Sequence, residues 1–119
     1  MKALSRRHWT YVLEADKTVS EEEQTIFHLK NVSRALYTSI MDGADAAGRL
    51  NFSGSVSNRI LKETLIGWEN LTDPDTDQPI PFPEKADAAL EMLPGVVRAE
   101  LAAQVFARQT LTEEQRKNL

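Results

Sequence analysis

Two hydrophobic rhythms divide this chain. Over residues 8–16, Trp9, Tyr11 and Leu13 alternate with Thr10, Val12 and Glu14. A period of two carried by aromatic and β-branched residues predicts a strand. A second strand is predicted over 24–32, with Thr25, Phe27 and Leu29 on one face and Ile26, His28 and Lys30 on the other. The polar stretch 17–23 between them, closing on Glu21, Glu22 and Glu23, is too long for a two-residue turn. A loose antiparallel hairpin is expected, and because two strands alone are marginal in water, helices must cover its apolar face.

Beyond Val32 the rhythm lengthens to that of a helix. Ser33 is placed to cap a first helix holding Leu36, Ile40 and Met41, and Gly43 is a natural stop, with Ala44, Ala46 and Ala47 able to prolong it by a turn. Ser55 or Ser57 caps a second, whose stripe of Ile60, Leu61, Thr64, Leu65 and Trp68 carries it to about Asn70. Four prolines and three aspartates over 73–83 rule out helix and predict an extended, turn-rich crossing. A short helix follows over 84–93, with Pro83 at its first position and Ala86, Ala89, Leu90 and Leu93 buried. After Pro94 and Gly95 a last helix is expected over 96–108, burying Val97, Leu101, Ala102, Val105 and Phe106. Residues 110–119 offer a capping box from Thr112 to Gln115 but few apolar positions, and are read as a disordered tail. The predicted fold is α+β, an N-terminal antiparallel β-hairpin packed on about four short α-helices, in a single domain over 1–109.

Composition narrows the function. A length of 119 residues fits one domain, and 41% hydrophobic residues suffice for one ordinary core. A net charge of −4 argues against a general binder of phosphate backbones, so no nucleic-acid partner is expected. Lacking cysteine, the chain has no disulfide, thiolate metal site or thiol nucleophile, which suits a reducing compartment. Lys2, Arg6 and Arg7 are followed by no apolar signal core, and no run approaches the ~18 residues of a spanning helix. The expectation is a soluble, unexported protein with no membrane partner.

Candidate chemistry is sparse. Asp73, Asp75, Asp77, Ile80 and Glu84 fall on the first, third, fifth, eighth and twelfth positions of an EF-hand loop. Gln78 stands where the loop needs its turn glycine, and Pro74, Pro79, Pro81 and Pro83 stiffen the backbone that would wrap the ion, so calcium is kept only as an alternative. His8 and His28 are positioned to pair across the hairpin, but two histidines lack the further ligands of a zinc site and read as strand surface. No serine elbow, Walker lysine loop or dinucleotide fingerprint is present, and Gly43, Gly48, Gly54, Gly67 and Gly95 are scattered. Neither catalysis nor a cofactor is expected. The run Glu21, Glu22, Glu23 reads as solvated loop, and Trp68 and Phe82 on position alone read as core.

Two ordered patterns carry a resemblance. Residues 11–17 (YVLEADK) are followed by 22–30 (EEQTIFHLK), and residues 67–82 (GWENLTDPDTDQPIPF) by 93–96 (LPGV). In this order they resemble tail assembly chaperones of long-tailed, siphovirus-like bacteriophages and prophages: opening strands with an acidic connector, then Gly-Trp, an acidic turn and Pro-x-Pro-Phe ahead of two short helices. The family often has a glycine where Asp77 and Gln78 stand. The resemblance implies a non-enzymatic protein of the bacterial host cytoplasm, absent from the mature virion. Such a protein binds the tape measure protein, keeps it soluble and helps recruit tail tube protein. Partner-binding residues are then expected at Trp68, Leu71, Ile80, Pro81 and Phe82, with the proline-stiffened turn folding Phe82 back towards Trp68. A homo-oligomer would hide any face the helices leave uncovered. Two alternatives stand beside it: a small phage or mobile-element inhibitor that meets a host or defence protein through an acidic face, and a calcium-binding module built on Asp73, Asp75, Asp77 and Glu84.

Overall fold

The computed structural model describes residues 8–44 and 50–117. Its fold is α+β. Strands β1 (His8–Tyr11), β2 (Ile26–Lys30) and β3 (Leu65–Glu69) form one antiparallel sheet in the order β1-β2-β3. Helices α1 (Arg34–Met41) and α2 (Gly54–Thr64) lie between β2 and β3, and α3 (Ala86–Glu91) and α4 (Gly95–Lys117) follow. Among the described residues no helix is long and apolar enough to cross a membrane. The prolongation of α1 through Ala46 and Ala47 falls outside the described residues.

Register explains the two faces of the sheet. Tyr11 pairs with Phe27 and Phe27 with Trp68, while Trp9 pairs with Leu29 and Leu29 with Leu65. These side chains face the helices and join a core in which Leu29, Ile60, Leu61, Leu101, Ala102 and Val105 are fully buried. Each buried Leu, Ile or Val side chain among them contributes roughly 1.5–3 kcal/mol on leaving water. His8, Thr10, His28, Lys30, Gly67 and Glu69 fall on the opposite face by strand alternation.

Five boundaries differ from the sequence expectation. The hairpin becomes a three-stranded sheet because the helix expected to continue through Leu65 and Trp68 stops at Thr64, and residues 65–69 form β3. A spacing of three puts Leu65 and Trp68 on one side of a helix, but here a bulge opposite His28 and Leu29 does so in a strand, with the extra residue Ile66 turned outward. The cap of α2 is Ser53, whose Oγ accepts from Val56 N at 3.4 Å, and not Ser55 or Ser57. Ser57 is buried and its hydroxyl donates to Phe52 O at 3.2 Å. The first strand ends at Tyr11, because Leu13 O accepts from Asp16 N at 2.9 Å and turns the chain into a 3-10 turn, Glu14–Asp16. Finally, α3 starts at Ala86, since Lys85 remains extended, and α4 runs past Arg108 to Lys117.

Ser33 does cap α1, accepting from Leu36 N at 3.2 Å, and its own N–H donates to the Glu63 carboxylate of α2 at 2.7 Å. The long helix α4 buttresses the rest. Phe106 stacks on Tyr37 of α1 at 4.7 Å and meets Phe52 edge-on at 6.1 Å. The Arg108 guanidinium lies 4.3 Å from the centroid of Trp9 in β1. Such aromatic and cation–π contacts add of order 0.5–1.5 kcal/mol each to the buried area.

Candidate functional site: the hairpin on Trp68

Past β3 the chain makes a tight, proline-rich hairpin that folds back on the sheet. Asn70 takes φ of 61°, a left-handed conformation that asparagine tolerates better than most residues. Its amide donates to Glu22 O at 2.8 Å and Gln24 O at 3.1 Å, while its own carbonyl accepts from the Thr25 hydroxyl at 3.0 Å. These bonds tie the root of the hairpin to the acidic connector, where Glu21–Glu23 forms a 3-10 turn.

Two backbone bonds close the hairpin: Ile80 N to Leu71 O at 2.7 Å and Asp73 N to Gln78 O at 2.9 Å, around the bridge between Thr72 and Pro79. Pro79 occupies a position whose N–H this ladder does not use, so proline costs no hydrogen bond there. Asp73 organises the turn. Its Oδ1 accepts from Asp75 N at 2.8 Å and Thr76 N at 3.2 Å, and its carbonyl accepts from Asp77 N at 2.8 Å. Pro79 and Pro81 flank Ile80, whose N–H is spent on Leu71, and Pro83 follows Phe82. A strand of such composition offers few donors to an incoming edge.

Asp77 has φ of 60°, the conformation for which glycine is best suited. Replacing Asp77 with glycine is therefore expected to raise unfolding free energy by about 0.5–1 kcal/mol, and Asp77→Val to lower it by about 1–2 kcal/mol. Urea unfolding of the two variants checks this; equal midpoints would contradict it.

Trp68 pins the hairpin to the core. Its indole Nε1–H donates to Ile80 O at 2.8 Å, and Phe82 meets it edge-on with centroids 4.8 Å apart at 80°. The turn thus does fold Phe82 onto Trp68. Of the five residues expected to bind a partner, Trp68 is only 8% exposed and is committed to this packing. Leu71, Ile80 and Phe82 are half-buried beside it, and Pro81 is exposed.

The acidic residues do not form a cage. Asp73 spends Oδ1 on the turn's own amides, and Asp75, Asp77 and Glu84 are exposed. Among the described residues no group of three or more His, Asp or Glu side chains is placed to hold a metal ion.

Two polar clusters lie outside the hairpin, one half legible in the sequence and one not at all. His8 and His28 do pair, with His8 Nε2 2.8 Å from His28 Nδ1, but the pair continues to Glu69, whose Oε2 is 2.6 Å from His28 Nε2. Reading Glu69 as helical hid it from the strands. On the other face, Glu100 of α4 accepts from the Tyr11 hydroxyl at 2.7 Å and from Glu14 N at 3.0 Å. Burial first, and the hydrogen bond and charge of Glu100 next, push the Tyr11 phenol well above its ordinary range. No local signal links residues so far apart in sequence.

Comparison of the chain with protein-family models, curated proteins and solved structures finds no match.

Proposed function

We propose that this chain is a tail assembly chaperone of a long-tailed phage or prophage, which binds the tape measure protein, keeps it soluble and helps recruit tail tube protein. The observation that carries the reading is the way residues 67–82, which hold the resemblance, act as one unit. Gly67 and Trp68 lie in β3, the acidic turn reverses the chain, and Ile80 and Phe82 close on the Trp68 indole. The other segment of the resemblance, 93–96, buries Leu93 at 5% exposure and presents Val96 at 80%, with Met92 beside it at 47%. Exposed apolar side chains of this size at a fixed corner suit a partner with an apolar stripe. A tape measure protein is long and helical and exposes such stripes until the tube encloses them, so a small domain that covers them reversibly keeps it from aggregating.

The test is coexpression with a tape measure protein of a long-tailed phage. The tape measure protein is expected in the soluble fraction with the wild-type chain and in the pellet without it. A Met92→Asp, Val96→Asp double variant should fold normally and lose most of this effect. A tape measure protein equally insoluble with and without the chain would sink the reading.

A second reading has one observation in its favour. The bonds of Asn70 to Glu22 O and Gln24 O bring the acidic connector and the root of the acidic hairpin to the same end of the sheet. An inhibitor that covers a basic patch of a host or defence protein would use such an end, and its binding would weaken steeply with salt. Binding to the tape measure protein that is insensitive to salt favours the chaperone.

A further inference from the structure

On the face of the sheet turned away from the core, one hydrogen-bond chain crosses all three strands. It runs from His8 in β1 to His28 in β2 and on to Glu69 in β3, over 2.8 Å and 2.6 Å. A carboxylate only accepts, so His28 Nε2 carries the proton it donates to Glu69. In a neutral ring that leaves His28 Nδ1 as a lone pair, and His8 Nε2–H is the donor to it. The chain therefore has a polarity: each imidazole gives its Nε2–H to the next strand.

This polarity limits how many protons the pair can hold. Protonating His8 at its outward Nδ1 leaves its Nε2–H in place and turns the bond to His28 into a charge-assisted one. A second proton has only His28 Nδ1 to occupy, which removes the acceptor of His8 and sets two cations against each other with ring centroids 5.0 Å apart. The bond from His28 to Glu69 survives that step, now as an ion pair. Among the described residues, the charged groups on this face beside the pair are Glu69 from β3, bonded to His28, and Lys30 of β2, the cross-strand partner of His8. Thr10 and Gly67 flank His28 on its two sides and carry no charge.

We propose that His8, His28 and Glu69 form a proton-responsive clasp, closed while the two imidazoles hold at most one extra proton between them and open when they hold two. Opening starts at the His8 end of β1. The Tyr11 end is held from the other face by Glu100, and β2 and β3 are fixed by Phe27, Leu29 and Trp68 in the core. Acidification thus loosens one edge of the sheet without unfolding the domain.

Nuclear magnetic resonance on the full chain tests this between pH 8 and pH 5, the range in which imidazoles change charge. At pH 8 the ring nitrogens of His28 should report the Nε2–H tautomer. By pH 5 the amide protection factors of β1 should fall about tenfold, the scale of one lost hydrogen bond plus the repulsion of adjacent cations, while those between β2 and β3 hold. In His8→Phe, which has neither donor nor charge, β1 protection should not change with pH. Constant β1 protection in the wild type, an equal fall in β3, or the same fall in His8→Phe would each overturn the clasp.

Discussion

Trp68→Ala is expected to lower the unfolding free energy by about 3–5 kcal/mol, the scale of removing a large buried aromatic. Against a typical total of about 5–15 kcal/mol, this makes the fold marginal. Two losses combine. The indole leaves a void between β3 and Phe82, and Ile80 O loses the donor it has at 2.8 Å. Trp68→Phe separates them, because it keeps most of the buried ring and removes only the N–H; about 1–2 kcal/mol is expected from it. Urea unfolding gives both numbers. Hydrogen exchange adds a local signature: in Trp68→Phe the amide of Ile80, donated to Leu71 O at 2.7 Å, should lose protection before the amides of β2 do. A cost below about 1 kcal/mol for Trp68→Ala would mean that the hairpin closes without the indole, contrary to the packing described here.

Glu100→Ala should cost about 1.5–3 kcal/mol, since hydrogen bonds to an ionised group exceed ordinary ones. Both Tyr11 OH and Glu14 N lose their acceptor, while Arg108 over Trp9 remains as a contact between β1 and α4. A double-mutant cycle with Tyr11→Phe apportions the effect: Glu100→Ala should cost less in the Tyr11→Phe background, because the phenol is no longer there to be stranded. The titration of Tyr11 gives an independent check. Its proton is held more tightly in the folded state than in the unfolded one, so the associated stability is whole at neutral pH and is lost as pH rises above about 10. In Glu100→Ala the phenol should fall only part of the way back to its ordinary value, since burial, the largest cause, remains. A phenol unaltered by the substitution would exclude the Glu100 contact.

What the sequence makes legible is what depends on near neighbours. Alternation of Phe27 and Leu29 with Ile26 and His28 exposes the strand, Ser33 marks the start of α1, and the prolines after Asp73 exclude helix. The return of Phe82 to Trp68 is implied by the family resemblance alone; the prolines and aspartates by themselves predict only an extended, turn-rich crossing. β3 escapes because Leu65 and Trp68, three apart, fit a helical face, and only a bulge that puts Ile66 outside lets a strand bury both. With β3 missed, Glu69 is absent from the neighbourhood of His28, and the clasp is reduced to two histidines. The link from Tyr11 to Glu100 depends on where α4 lands, which no local pattern encodes.

We propose that this small α+β domain works by covering another protein's apolar surface. Size exclusion with light scattering on the chain coexpressed with a tape measure protein of a long-tailed phage is the decisive measurement. A soluble complex with several copies of the chain on each tape measure protein is expected, lost in the Met92→Asp, Val96→Asp variant. A free chain eluting apart from aggregated tape measure protein would contradict it.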